Sequence, residues 1–127
     1  MATMVNSDKA PAAIGPYVQA MDLGNMLFVS GQLPIDITTG TMPDCIKEQA
    51  KQSLANIKAI LTEANYQVNH IVKTTIFLAD MNDFADVNAV YDAFFKENNA
   101  AFPARSCVQV ARIPKDAKVE IEVIAAK

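Results

Sequence analysis

The sequence lacks tryptophan and has one histidine, two cysteines and four glycines. Cys45 and Cys107 lie far apart without C-x-x-C spacing, and His70 is the only other soft ligand, which is too few for a structural zinc site. The chain also has no P-loop and no dinucleotide-binding glycine motif. We therefore expect free thiols and no metal.

Charge is also scarce, at 20% of residues against roughly 25% in an average globular chain, while 51% are hydrophobic. This composition excludes disorder and indicates more apolar surface than a small monomer can bury, which favours an oligomer. Eleven Lys and Arg against fourteen Asp and Glu give a net charge of -3, the wrong sign for holding phosphate backbones. We expect no nucleic-acid partner.

Long apolar runs are missing. The longest segment without a charged residue, 23–35, is interrupted by two glycines and a proline, and it falls short of the about twenty residues of a membrane span. The first ten residues carry Asp8 and Lys9 and resemble neither a secretory signal nor an Arg-rich transit peptide. We therefore expect a cytoplasmic protein with no membrane partner.

The chain, residues 1–127, reads as one domain without repeats or linkers. Turn residues at 22–25 between two apolar runs predict a β-hairpin within residues 17–32. Apolar residues every three or four positions predict a helix over 46–64, with Asp44 as its cap. Residues 68–79 are rich in β-branched side chains and predict a strand, with Val72 on the same face as Thr74, Ile76 and Leu78.

A second helix is predicted from the cap Asn82 to Lys96, with an apolar stripe that includes Phe84 and Tyr91. Residues 104–110 and 118–125 predict two further strands joined by a turn. The order ββαβαββ gives an α+β fold, a mixed sheet with two helices on one face. The other face then exposes apolar surface unless subunits pack there.

Arg105 is one of only two arginines, and strand alternation puts it on the same face as Cys107. A cation just inside a strand needs an anion, and the planar guanidinium fork suits a carboxylate. Two interpretations remain open: Arg105 anchors a small acid, or it has an internal partner such as Glu120 or Glu122.

Other candidates are less distinctive. Glu120 and Glu122 share a strand face, where one can act as a general acid or base, or both simply face water. Cys107 as a nucleophile lacks a positioned histidine and fits a buried structural thiol better. Asn88, by its place on the second helix, reads as a solvated or helix-bonding amide. Tyr17, Ser30 and Gly31 lie at the ends of the predicted hairpin and are compatible with ordinary turn chemistry, although a glycine also permits its backbone to approach a ligand closely.

Several segments match one family together. They are Ala10–Tyr17, Val29–Gln32, the helix that carries Asn88, Pro103–Val108 and Ala117–Glu122. In order and spacing, over essentially the whole length, the chain resembles the Rid family of reactive-intermediate deaminases, also called the YjgF family.

The resemblance implies a chorismate-mutase-like fold and a homotrimer with active sites in clefts between subunits. It also implies hydrolysis of 2-imino or enamine acids, such as 2-iminobutanoate and 2-iminopropanoate, to 2-keto acids and ammonia. These imines are released by pyridoxal-phosphate enzymes, and the resemblance implies no stable complex with those enzymes and no cofactor.

Site roles follow from the same resemblance. Arg105 resembles the family's carboxylate anchor, and Glu120 resembles the residue that positions or activates water. Gly31 and Cys107 correspond to backbone contacts near the ligand. The cleft-lining residues are Tyr17, Ser30 and Asn88.

The resemblance also leaves other functions possible, because members of this family have been described with different activities. One is a trimeric sensor that binds 2-keto acids through Arg105 without turnover. Others are translation inhibition with ribonuclease activity and chaperone-like behaviour, although the acidic composition argues against RNA cleavage.

Overall fold

One mixed six-stranded sheet carries two α-helices in a computed structural model that describes residues 2–127. The sheet order is β1-β2-β3-β6-β4-β5. The elements are β1 (Thr3–Val5), β2 (Ala20–Asp22), β3 (Met26–Gln32), α1 (Ile46–Glu63), β4 (Ile71–Leu78), α2 (Phe84–Glu97), β5 (Ala104–Gln109) and β6 (Val119–Ala126).

The predicted α+β fold is confirmed, and so is the order ββαβαββ from β2 onward. Strand β1 is not among the predicted elements; it precedes this order and pairs antiparallel with β2, from Thr3 opposite Asp22 to Val5 opposite Ala20. A strand of three residues shows too little alternation to be detected, and it forms only because β2 offers a free edge.

The last strand, β6, lies in the middle of the sheet. It pairs antiparallel with β3 on one side and with β4 on the other, while β5 pairs parallel with the far edge of β4. Consecutive strands β5 and β6 are therefore not neighbours. Val119, Ile121 and Val123 are buried under the helices, so Glu120 and Glu122 face the opposite side.

Both helices form where the periodicity predicts them, but their capping differs from the prediction. Cys45 occupies the cap position of α1 without a side-chain bond, so the prediction that Asp44 caps this helix is wrong. Asn82 lies inside a 3-10 turn before α2, where Asp80 accepts a hydrogen bond from its backbone N–H. That turn delays the helix to Phe84. No helix within residues 2–127 is long and apolar enough to span a membrane.

Strand β4 begins later than predicted. Val68–His70 form a 3-10 turn, held by the bond from the Gln67 backbone N–H to His70 Nδ1 at 2.9 Å. An irregular register between Ile71 and Lys73 then turns Ile71 into the core and leaves Val72 46% exposed. The prediction that Val72 shares a face with Thr74 and Ile76 is therefore wrong, because a bulge inverts the alternation of side chains between the two sheet faces at this point.

The sheet face away from the helices carries an apolar row. Met4, Met21, Phe28 and Ile124 lie opposite one another across four neighbouring strands. Met4 is 66% and Phe28 42% exposed. A row of this kind on one uncovered face favours packing against another chain.

Buried polar side chains of α1 hold the segment that follows β3. Asn56 Nδ2 donates to the carbonyl oxygens of Leu33 and Ile35, both at 3.0 Å, and Ser53 Oγ donates to the Gln32 carbonyl oxygen at 3.0 Å. Leu33 and Ile35 lie beyond the end of β3, so the Asn56 amide satisfies carbonyl groups that have no strand partner. These bonds fix the chain immediately after Gly31.

We expect Asn56→Ala to lower the free energy of unfolding by about 1 to 3 kcal/mol, because a buried carbonyl group and a partly buried one lose their donor. Chemical denaturation at fixed protein concentration measures this change. Lys58→Ala, at an exposed position of the same helix, is the control and should stay within about 0.5 kcal/mol of wild type. Equal effects of the two substitutions would contradict the anchoring role of Asn56.

Candidate active site

Arg105 lies half-buried on β5, on the helix-covered face beside Thr74 of β4. Its Nη1 donates to Asn88 Oδ1 of α2 at 2.7 Å. Its Cζ lies 5.0 Å from the centre of the Tyr91 ring and 5.5 Å from the centre of the Phe84 ring. One amide and two aromatic rings therefore surround the guanidinium.

Arg105 has no carboxylate partner in the described chain. The ion pairs of residues 2–127 are Lys96 with Asp92 and Arg112 with Asp116. The alternative that Glu120 or Glu122 is an internal partner of Arg105 is wrong. A half-buried cation whose guanidinium hydrogen-bonds only one neutral amide is suited to an anion from outside the chain.

Asn88 and Cys107 lie on the same side as Arg105. The interpretation of Asn88 as a solvated or helix-bonding amide is wrong, because its carbonyl oxygen accepts the bond from Arg105. Burial raises the pKa of the Cys107 thiol, and the nearby Arg105 charge partly offsets this rise. The sole histidine, His70, has its Nδ1 occupied by the Gln67 N–H. The raised pKa disfavours a thiolate nucleophile.

Glu120 extends from β6 on the other face of the sheet and packs against Gly31 of β3. A Cβ atom at position 31 would lie 2.9 Å from Cδ of Glu120 and 3.1 Å from Oε2, so only glycine leaves the carboxylate in place. Burial raises the pKa of Glu120, and the charge of Glu122 raises it further. A half-buried carboxyl with a raised pKa is suited to accept and return a proton.

Tyr17 and Ser30 lie towards the side of the sheet that carries the Glu120 carboxyl group. Tyr17 is 45% exposed, its hydroxyl oxygen accepts from the Ile14 N–H at 3.3 Å, and it lines the same shallow cavity as Gly31. Ser30 Oγ donates to the Val18 carbonyl oxygen at 2.7 Å, so its proton already has an acceptor. Ser30 therefore holds the entry to β2, and its lone pairs remain available.

The register divides these residues into two groups. Arg105 lies opposite Thr74, and Glu120 lies opposite Phe77, three positions further along β4. Positions an odd number apart on a strand face opposite sides of the sheet. One chain therefore presents an arginine group (Asn88, Arg105, Cys107) on one face and a glutamate group (Tyr17, Ser30, Gly31, Glu120) towards the other.

Two neighbours of Arg105 are not apparent as site residues from the sequence. Phe84 and Tyr91 fit an apolar helix stripe, yet both rings lie against the guanidinium, and Phe84 remains 38% exposed. The available signal was their spacing from Asn88, since positions i, i+4 and i+7 share a helix face. Within residues 2–127, no group of three or more His, Cys, Asp or Glu side chains is arranged to hold a metal ion.

Comparison with known proteins matches residues 7–127 to the family model described as Endoribonuclease L-PSP. The 2-iminobutanoate/2-iminopropanoate deaminase of Escherichia coli K12 is 58% identical over 127 residues, which cover 100% of this chain and 99% of that protein. The crystal structure of the E. coli YjgF gene product has a TM-score of 0.97 and 58% identity, with 98% of both chains covered. That of E. coli TdcF with bound serine has a TM-score of 0.97 and 52% identity, again with 98% of both covered.

The raised pKa of Glu120 leads to a stability prediction. The folded protein holds this proton more tightly than the unfolded chain, so the carboxyl stabilises the fold below its unfolded pKa and loses that contribution as pH rises through the raised value. We expect Glu120→Gln to have the same melting temperature as wild type at about pH 4 and a higher melting temperature than wild type at about pH 7. Thermal unfolding across this range measures the difference, and a lower melting temperature at neutral pH would contradict it.

Proposed function

The chain belongs to the Endoribonuclease L-PSP family, which is also called the Rid or YjgF family, and we propose a function for it on this basis. We propose that the protein is a hydrolytic deaminase of reactive 2-imino and enamine acids. The substrates are 2-iminobutanoate and 2-iminopropanoate, and the products are 2-keto acids and ammonia. The reaction breaks a C–N bond by addition of water and requires no cofactor.

One observation carries this proposal: a half-buried Arg105 without a carboxylate partner, in a chain 58% identical over its full length to a deaminase of these imines. A 2-imino acid carries a fixed carboxylate next to its reactive carbon. Arg105 binds that carboxylate with two parallel hydrogen bonds and so orients the carbon. The serine bound to TdcF carries, like a 2-imino acid, a carboxylate next to a carbon bonded to nitrogen, and it is consistent with a ligand of this class.

Glu120 supplies the proton transfers. Water attacks the carbon of the N-protonated imine, and Glu120 takes the proton that the water releases. Glu120 then gives this proton to the nitrogen of the addition product. As the C–N bond breaks, the hydroxyl group of the addition product passes its proton to Glu120 and becomes the keto oxygen. The 2-keto acid leaves, and the departing ammonia takes the proton from Glu120. A raised pKa suits both steps, since the same group first accepts and then donates. Backbone groups of Gly31 and Cys107 contact the ligand, and Tyr17, Ser30 and Asn88 line the cleft.

The proposed active unit is a homotrimer with each cleft between two subunits. Two features support this arrangement: the apolar row on the uncovered sheet face, and the separation of the arginine and glutamate groups on opposite faces. If one subunit presents Arg105 to its neighbour's Glu120, each interface contains one complete site. The place of action is the cytoplasm, where the free Cys45 and Cys107 stay reduced.

No feature of the site favours the other functions described for the family. The net charge of -3 opposes binding of a phosphate backbone. A 2-keto acid sensor shares the Arg105 anchor but needs no proton-transferring carboxyl, so ammonia release separates it from the enzyme.

We expect Arg105→Lys to lower deaminase activity by about 10²-fold, because a mobile ammonium cannot orient a carboxylate with two parallel bonds. Ammonia release from freshly generated 2-iminobutanoate measures the activity. Arg112→Lys is the matched control, since Arg112 is exposed and paired with Asp116, and it should leave turnover unchanged. A lysine variant with wild-type turnover would refute the anchor role.

The shared cleft is tested by mixing inactive variants. When Arg105→Ala and Glu120→Gln subunits are unfolded and refolded together, about a quarter of the clefts regain both groups if these come from different subunits. Deaminase activity should therefore rise above that of either variant refolded alone. Sedimentation of the same samples checks for trimers, and a trimer without recovered activity would place both groups of each site in one subunit.

A further inference from the structure

Three side chains of α2 converge on one cation. Phe84, Asn88 and Tyr91 occupy positions i, i+4 and i+7, so they lie along one face of the helix. That face meets Arg105, with Asn88 Oδ1 bonded to Nη1 and both rings near Cζ. These three side chains of α2 thus surround the guanidinium of Arg105 on β5.

Aromatic rings and a carboxylate would compensate the charge of Arg105 in different ways. A half-buried cation needs electrostatic compensation, and the negative π face of a ring supplies it. A carboxylate partner would occupy the N–H groups at the edge of the guanidinium plane. A ring face accepts no strong N–H···O hydrogen bond, and within residues 2–127 the guanidinium donates a hydrogen bond only to Asn88, which uses one N–H of the fork. Charge compensation is therefore separated from ligand recognition.

The Tyr91 ring is itself held in place. Its hydroxyl and Thr74 Oγ1 form a 2.8 Å hydrogen bond in the buried region, and Thr74 lies opposite Arg105 on the neighbouring strand. The ring also packs on Phe95, with 4.7 Å between centres. Phe84, at the first turn of α2, is 38% exposed and covers the guanidinium from the solvent side.

We propose that Phe84 and Tyr91 are positioning residues for the deaminase, which clamp the Arg105 guanidinium so that its free edge meets the substrate carboxylate. This inference rests on the proposed function for its substrate. The clamp acts through Arg105 and touches no reacting atom. Its loss therefore weakens carboxylate binding more than it slows the chemical step.

The test uses Phe84→Leu, because this position is partly exposed and the substitution keeps apolar volume. We expect the Kd for 2-oxobutanoate and the KM for 2-iminobutanoate to rise about 3- to 30-fold, the range that a cation–π contact supports. We expect kcat to stay within about 2-fold and the melting temperature to change little. Calorimetric titration gives Kd, and ammonia release gives KM and kcat.

Three further variants separate positioning from stability. Phe84→Tyr keeps a ring and should restore wild-type Kd. Tyr91→Phe loses the bond to Thr74 but keeps its ring, which still packs on Phe95, so it should keep Kd while the melting temperature falls. Phe94→Leu is the matched control on the same helix, since Phe94 packs on Phe95 and lies towards α1; it should lower stability without changing Kd.

A Phe84→Leu protein with wild-type Kd and KM would overturn the clamp, and so would a Phe84→Tyr protein that binds as weakly as Phe84→Leu. Failure of the proposed function looks different. A wild-type protein that binds 2-oxobutanoate but releases no ammonia would refute the deaminase, while a weaker Kd in Phe84→Leu would still support the role of the rings in carboxylate binding.

Discussion

The insertion of β6 between β3 and β4 is the constraint on which the rest of the structure depends. It is the last strand of the chain, and its backbone bonds join the β1–β3 half of the sheet to the β4–β5 half. One face of β6 buries Val119, Ile121 and Val123 against the helices. The other face presents Glu120 beside Gly31, so the strand that completes the core also places the proposed general base.

Strand alternation also supplies the physical reason for the proposed cleft between subunits. Because side chains of a strand point alternately to two faces, Arg105 on β5 and Glu120 on β6 are separated by the sheet itself. A cleft between subunits is the geometry that unites such groups without breaking the sheet. The apolar row on the uncovered face supplies a reason for subunits to associate.

The electrostatics favour acid–base chemistry over a covalent nucleophile. Burial raises the pKa of both Glu120 and Cys107, which keeps the thiol protonated and makes the carboxyl a better proton acceptor. Arg105 keeps its charge available because the described chain offers it aromatic faces and an amide in place of a counter-ion. A substrate that supplies its own carboxylate completes this arrangement.

The sequence by itself determined the α+β class, both helices and the main strands, because apolar periodicity reflects which face of each element is buried. Its motifs also pointed to Arg105, Glu120 and Gly31 through the family resemblance. Only the tertiary structure decided that Arg105 has no internal carboxylate, that Asn88, Phe84 and Tyr91 surround it, and that Ile71 rather than Val72 enters the core. Those outcomes depend on pairing between distant segments and on a local bulge, which no periodicity within one segment encodes.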